Sequence, residues 1–533
     1  MKRLAPAAPL AFASPGEAPR LGIKPAHGLA AFCIGQVVLW GLAFGLTYSA
    51  PEVDSAEQFV WSFSMQSGYW KHPPLPSWIM RALLEVFGPS VVLPFVATQC
   101  CIVLALAIVW VLACELMSPA RALVAVVLTS LVTYHNIGAD TFNHNTALLP
   151  FQAATFLAFH RATRRASLGW WCVTGVAAAL AVLVKYVAVL PIVGLLVYFA
   201  FDRALHVRAN LLGLVVAALV FAGLLAPHAL WLDATHYLPF RYARSVTETL
   251  PDTTATLLQL AEFLGIQCLR LAPFAGATAY VLLAQRRTVR LAPAVSAASP
   301  TAASARAPND RLFIAFAALA PLAGTVLIAL ATQAALQSRW GANAFLLTGV
   351  LVMSIARRRE DDAMVRRALY AAIAVQLVLC VGMTLGKTIV AERLGIRTRA
   401  NFPGKVLAEH AHEIWKAGVP DVPLRIVVSD IWLGGNVIAH TSSPLAVLID
   451  GHRFKAPWIR PGAITACGAL VLDDLTSSPV PTPALQALFD RAEATGVWSL
   501  PWSRPDLHAG DEDRGRVRWG VILPRDPQHC PLR

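Results

Sequence analysis

Apolar positions fall in long unbroken runs through the first 386 residues and in short, alternating runs after them. The long runs lie at roughly 29–49, 91–115, 122–137, 146–160, 168–184, 187–202, 209–231, 259–283, 312–332, 342–356 and 367–386, and a spanning helix needs about 20 such residues. They predict about eleven transmembrane helices. Lys185 divides one long stretch, Gly169 to Phe201, into two. Beyond Gly386, the segments LRIVVSD, PLAVLID, ITACGALVLDD and VRWGVILP read as strands, and KVLAEHAHEIWKAG, IWLGGNVIAH and PALQALFDRAEATG as helices between them. That alternation predicts a small α/β domain over 387–533. It carries neither a P-loop nor a GxGxxG fingerprint.

Composition places the chain in a membrane. Hydrophobic residues make up 56% and charged ones only 14% of 533 residues, against about 25% charged in soluble domains. The net charge of +13 does not point to nucleic acid, because the basic residues sit between apolar runs, as topology determinants do. With the N-terminus in the cytoplasm, the inner loops hold about twenty Lys and Arg and the opposite loops about six. An odd number of spans then puts 387–533 outside, which for a composition rich in Ala, Leu, Val and Arg reads as the periplasm of a bacterial inner membrane. Residues 1–28 read as a disordered cytoplasmic tail, and the Ala/Ser/Pro-rich stretch within 284–311 as a flexible cytoplasmic linker. Cys467 and Cys530, both in the outer part, either pair or remain free thiols.

This orientation gathers polar chemistry on one side. The first outer loop, 50–90, contains DSAEQFVWSFSMQSGYWKHPPLPSW at 54–78, and YHNIGADTFNHN at 134–145, Lys185, the 232–245 loop and LQSRWGAN at 336–343 face the same way. A lysine amid AVLV and VAVL is costly unless it meets an anion or snorkels to the interface. Arg339 beside Trp340 reads either as a functional cation or as an interfacial anchor, and Arg270 stands near the middle of its run. Asp54 and Glu57, three residues apart, share a helix face, and Asp54 also suits a helix cap.

The order Asp54, Gly68-Tyr69, His72-Pro73-Pro74-Leu75 and Trp78 resembles the first outer loop of GT-C glycosyltransferases. The resemblance is to the protein mannosyltransferase-like superfamily, and within it to the bacterial branch of the lipid A aminoarabinose transferase and the rhizobial lipopolysaccharide galacturonosyltransferases. It continues in LVKY at 183–186, PHALWLDATHYLPFRYA at 227–243 and RW at 339–340. It implies a polytopic helical fold over 29–386 with an outer α/β domain. The implied activity is inverting transfer of one sugar from an undecaprenyl-type phosphate donor to a lipid or cell-envelope glycan, lipid A or lipopolysaccharide, at the outer face.

Under that resemblance, Asp54, or Glu57 in its place, takes the acceptor proton or orients a metal that does so. Lys71, His72, Lys185, Arg339 and Arg270 hold the donor phosphate. Asp140 and His144 complete an acceptor site or a divalent-cation site, although turn and cap roles account equally for Asp140, Asn143 and Asn145. Ser55, where the family often has a second acidic residue, and Lys71, where aminoarabinose transferases have an acid, depart from the pattern. The same fold also serves protein O-glycosylation. A sugar or lipid transporter and a non-catalytic assembly subunit are the other readings, the first weakened by the absence of inverted repeats.

Overall fold

A computed structural model describes residues 24–284, 308–356, 360–476, 481–501 and 515–532. Most of the tail 1–28 and of the linker 284–311 lie outside the described residues. The membrane part runs α1 (Pro25–Thr47), α2 (Val53–Trp61), α3 (Leu75–Phe87), α4 (Val92–Leu116), α5 (Pro119–Thr129), α6 (His144–Arg165), α7 (Leu168–Val184) and α8 (Val189–Phe201). It continues through α9 (Arg208–Ala234), α10 (Leu238–Val246), α11 (Thr253–Ala284), α12 (Asp310–Thr332), α13 (Thr348–Ile355), α14 (Asp362–Leu385) and α15 (Ala391–Arg393).

Among the described residues, six helical segments are long and apolar enough to cross a membrane: α1, α4, α9, α11, α12 and the continuous Asp362–Arg393. Several expected spans are shorter. In the run at 122–137 the α-helix ends at Thr129 and a 3-10 turn follows at Thr133–His135, after which the Asn136 side chain donates to the carbonyls of Ser130 and Val132. The run at 342–356 is helical only over Thr348–Ile355. These two short helices pack on each other, the Gly349 amide donating to Thr129 Oγ1 at 3.1 Å. Burial among neighbouring helices removes the need to match the bilayer thickness.

The C-terminal part holds α16 (Gly404–Gly418), β1 (Ile426–Ser429), α17 (Ile431–Ala439), β2 (Ala446–Ile449), α18 (Ala463–Cys467), β3 (Ala469–Asp474), α19 (Pro483–Phe489), β4 (Ala494–Leu500) and β5 (Gly515–Ile522). The sheet order is β2-β1-β3-β5-β4. β1 pairs in parallel with β2 and β3, while β5 runs antiparallel to β3 and β4. The expected helix over 483–496 ends at Phe489, and Ala494–Leu500 forms β4 instead. Edge pairing with β5 overrides the local helical pattern there. A disulfide joins Cys467 to Cys530.

The sheet domain is seated on the first loop. One apolar cluster runs from Phe59, Trp61 and Tyr69 into Val428, Leu433 and Val447. At the contact of α2 with α17, a Cβ on Gly435 would stand 2.5 Å from that of Ala56, so only glycine permits this approach. The first loop is equally tight against α9: a Cβ on Gly68 would fall 2.3 Å from the Trp231 ring. His228 Nδ1 meets the Ser67 carbonyl at 2.6 Å. The Gly-aromatic turn is closed by reciprocal backbone bonds between Tyr69 and His72, and Tyr69 stacks on Trp61 with centroids 4.8 Å apart.

Candidate active site

A polar cavity of about 230 Å³ lies where α2, the 134–146 segment, α11 and the 338–341 turn meet. Three carboxylates, Glu52, Asp54 and Asp140, and three guanidiniums, Arg270, Arg339 and Arg399, line it. The sequence places Asp54 there by starting α2 two residues earlier: Glu52 stands at the N-cap without a side-chain capping bond, and Asp54 lies in the first turn. Asp54 Oδ2 accepts from Asn143 Nδ2 at 2.9 Å and lies 3.6 Å from an Arg339 nitrogen. Asn143 in turn caps α6 through its Oδ1, which accepts from the amides of Asn145 and Thr146. Ser55 ties the two segments together, accepting from the Phe142 amide at 2.9 Å and meeting Thr141 Oγ1 at 3.0 Å.

Asp140 faces the other wall. Its Oδ2 accepts from Tyr48 Oη at 2.6 Å and from Lys387 Nζ at 3.1 Å, and Lys387 also donates to the Tyr48 hydroxyl. Lys387 is carried on a π-helical turn, Gly386–Val390, that widens the end of α14; such bulges recur at functional sites. Glu52 lies 3.7 Å from Arg399. Burial, with Asp140 next in effect, raises the Glu52 carboxyl to about 7 against the pull of Lys387 and Arg399. Arg270 lies over the Tyr134 ring at 5.2 Å and pairs with no carboxylate among the described residues.

Lys185 links this cavity to a second. Its ammonium donates to Asn145 Oδ1, and Asn145 lines the polar cavity. Lys185 itself lines an apolar cavity, also about 230 Å³, with Leu190, Ile328, Leu336 and Trp340. Arg339 and Trp340, adjacent in one short turn, thus serve the polar and apolar cavities respectively.

The remaining candidates sit to one side. Lys71 and Glu57 pair with each other at 2.6 Å, and Glu57 is buried. Burial raises the Glu57 carboxyl to about 7 despite the neighbouring Lys71 ammonium. His72 packs against His144 with centroids 4.1 Å apart and the rings tilted by 41°, and burial holds its imidazole well below the ordinary range, so it is neutral at pH 7. His144 and Asp140 are therefore engaged separately, and no three His, Cys, Asp or Glu side chains gather in a metal-binding group among the described residues.

The structure adds Glu52, Tyr48, Lys387 and Arg399, which sequence reasoning did not single out. Glu52 was legible as a second acid beside Asp54. Lys387 and Arg399 sit just past the last apolar run, where basic residues ordinarily mark the interface.

The family model for dolichyl-phosphate-mannose-protein mannosyltransferase matches residues 71–231. The lipopolysaccharide core galacturonosyltransferase RgtA of Rhizobium johnstonii is 26% identical over 421 residues, 76% of this chain and 79% of that one. The lipid A galacturonosyltransferase RgtD of the same organism is 26% identical over 207 residues, covering 37% of this chain and 42% of its own. Among solved structures, ArnT from Cupriavidus metallidurans bound to undecaprenyl phosphate superposes with a TM-score of 0.59 at 13% identity, over 94% of this chain and all (100%) of that one. The apo form of that protein gives 0.57. The architecture is that of the GT-C fold, and the chain is a multi-pass membrane glycosyltransferase resembling enzymes that modify lipid A.

Proposed function

We propose that the protein transfers a single hexuronosyl residue, with inversion, from a polyprenyl phosphate to lipid A or the lipopolysaccharide core, at the outer face of the inner membrane. The observation that carries this reading is the junction of a cation-rich polar cavity with an apolar groove across Lys185 and the Arg339–Trp340 turn. A lipid phosphate needs that combination, a charged head site opening directly onto a greasy channel.

Asp54 is the base. It lines the cavity, it is oriented by Asn143, and Glu57, buried against Lys71, does not line it. The acceptor oxygen attacks the anomeric carbon and its proton passes to Asp54. The bond from that carbon to the phosphate oxygen breaks, and its electron pair leaves with the lipid phosphate. Arg270, Arg339 and Lys185 neutralise the departing dianion, which needs cations more than a proton donor. Asp140 is held by Tyr48 and Lys387, so it falls to Arg399, paired at 3.7 Å with a Glu52 carboxyl that burial raises to about 7, to turn to the second anion that a uronosyl donor brings, its carboxylate. The galacturonosyl activity of the two Rhizobium relatives supports that choice of sugar.

The test is transfer by the purified protein from polyprenyl phosphates carrying radiolabelled galacturonic acid or, for comparison, glucose, with whole lipopolysaccharide as acceptor. Label in the lipid A or core fraction from the uronosyl donor alone is expected. Label found only in protein would move the reading to protein O-glycosylation, and no transfer from either donor would refute it.

A further inference from the structure

A third cavity, about 560 Å³ and more than twice the volume of the catalytic one at about 230 Å³, lies between the first loop and the sheet domain. Phe63 and Arg81 wall it on the loop side, and Thr441, Ser443, Trp458 and Arg460 on the domain side. Hydroxyls and an amide side chain, Gln66, alternate there with aromatic residues. That mixture suits a sugar, which offers hydroxyls at its edge and apolar C–H groups on its face.

The two cations of the wall differ. Arg81 is occupied, donating to Glu85 at 2.5 Å and to the Phe63 carbonyl at 3.0 Å, which leaves the end of α2 pinned. Arg460 is exposed and makes no ion pair among the described residues.

Position narrows the ligand. Asp54 lies at the start of α2 and Ser62, a wall residue, just past its end. Eight residues of helix separate the two cavities by about 12 Å along the axis, a distance a short oligosaccharide covers. On the other side, α3 ends in Val86 and Phe87, 73% and 70% exposed, an apolar pair that suits contact with a membrane surface.

We propose that this cleft binds the acceptor glycan at sugars remote from the hydroxyl being modified, with Arg460 taking an anionic substituent, phosphate or sugar carboxylate. This rests on the transferase reading for the acceptor's identity, but the binding itself does not depend on turnover. The occupied cleft holds the acceptor across both the loop and the sheet domain, so the acceptor hydroxyl reaches Asp54 only when both grip it.

The test uses the full-length protein and two substitutions at exposed wall positions, Arg460→Glu and Ser443→Trp. Binding of lipid-free core oligosaccharide, released from lipopolysaccharide by mild acid, is measured by calorimetry in detergent. Each variant is expected to weaken it by roughly tenfold or more, as the loss of a charge-assisted contact does. Dephosphorylated oligosaccharide that binds as poorly as to the Arg460 variant assigns the contact to phosphate, and unchanged binding assigns it to a carboxylate. In the transfer assay the acceptor KM rises while the donor KM and the saturating kcat hold. Oligosaccharide binding equal in both variants and wild type overturns the proposal. Wild type that binds oligosaccharide through Arg460 yet transfers no sugar would leave the cleft standing and refute the transferase reading alone.

Discussion

The ammonium of Lys71 lies 2.6 Å from the Glu57 carboxylate, and the pair staples the Lys-His-Pro-Pro bend to the helix that carries Asp54. Burial raises Glu57 from its ordinary 4.5 to about 7. Between those values the folded protein holds more protons than the unfolded chain. The stability tied to Glu57 is therefore full below about pH 4.5 and is lost as pH rises through 7, with a slope of at most about 1.4 kcal/mol per pH unit. Glu52, raised to about 7 as well, adds in the same direction. Thermal midpoints of Glu57→Gln in detergent should show a flatter pH profile than wild type over that window.

Removing the cation should cost most in alkali. Lys71→Met leaves Glu57 buried without its partner, so its carboxyl climbs further and takes a proton wherever it can. The variant should be close to wild type near pH 6 and lose up to about 2 kcal/mol at pH 8.5. Lys71→Met combined with Glu57→Gln should recover most of that loss, and a pH-independent deficit would argue that the pair matters only by packing.

Asp54→Asn keeps the hydrogen bond to Asn143 available through its amide oxygen but cannot take a proton. Transfer should fall by about 10²- to 10⁴-fold, while binding of undecaprenyl phosphate, followed by thermal shift, stays near wild type. Weakened lipid-phosphate binding instead would make Asp54 a positioning group for Arg339, which lies 3.6 Å away.

The guanidiniums should separate by donor. Arg399→Gln should lower kcat/KM for a uronosyl donor by roughly 10- to 100-fold, the worth of a hydrogen bond to a charged group, and leave a neutral hexosyl donor little changed. Arg270→Gln should weaken both donors alike, since every polyprenyl donor carries the phosphate. Competition assays with the two labelled donors read the difference directly.

Gly435 tests the seat of the sheet domain. A methyl group there meets Ala56 at 2.5 Å, so Gly435→Ala should destabilise by about 1–3 kcal/mol through overpacking. Protease should then cut the 418–426 connection faster than in wild type, and Ala56→Gly should partly rescue it.

Much of this arrangement was legible in the chain. The polar loop after the first apolar run, the strands Ile426–Ser429, Ala446–Ile449 and Ala469–Asp474, and the gathering of Asp54, Asp140, Lys185 and Arg339 on one side follow from periodicity and charge asymmetry, whereas Arg270 read only as a cation near the middle of its run. The exceptions share a cause. Glu57 meets Lys71 across fourteen positions because a turn folds between them, and Lys387 reaches Asp140 across 247. Such pairings are properties of the packed chain, with no trace in local pattern. β4 was hidden for the same reason: Ala494–Leu500 becomes a strand because β5 lies beside it. The early ends of α5 and α13 escaped detection because an apolar run reads alike whether it is helical throughout or continues beyond the helix as irregular chain packed among its neighbours.

Arg339 and Trp340 stand next to each other yet face different cavities. A turn built that way works as a gauge for one chemical boundary, the point where a charged head becomes a hydrocarbon tail. For the donor proposed above, tail beyond the groove would be free to lie among bilayer lipids, so the protein would register where a prenyl chain begins and be indifferent to where it ends. Donors with short and long prenyl chains should then be exchanged readily, and a soluble sugar phosphate with no tail should be ignored.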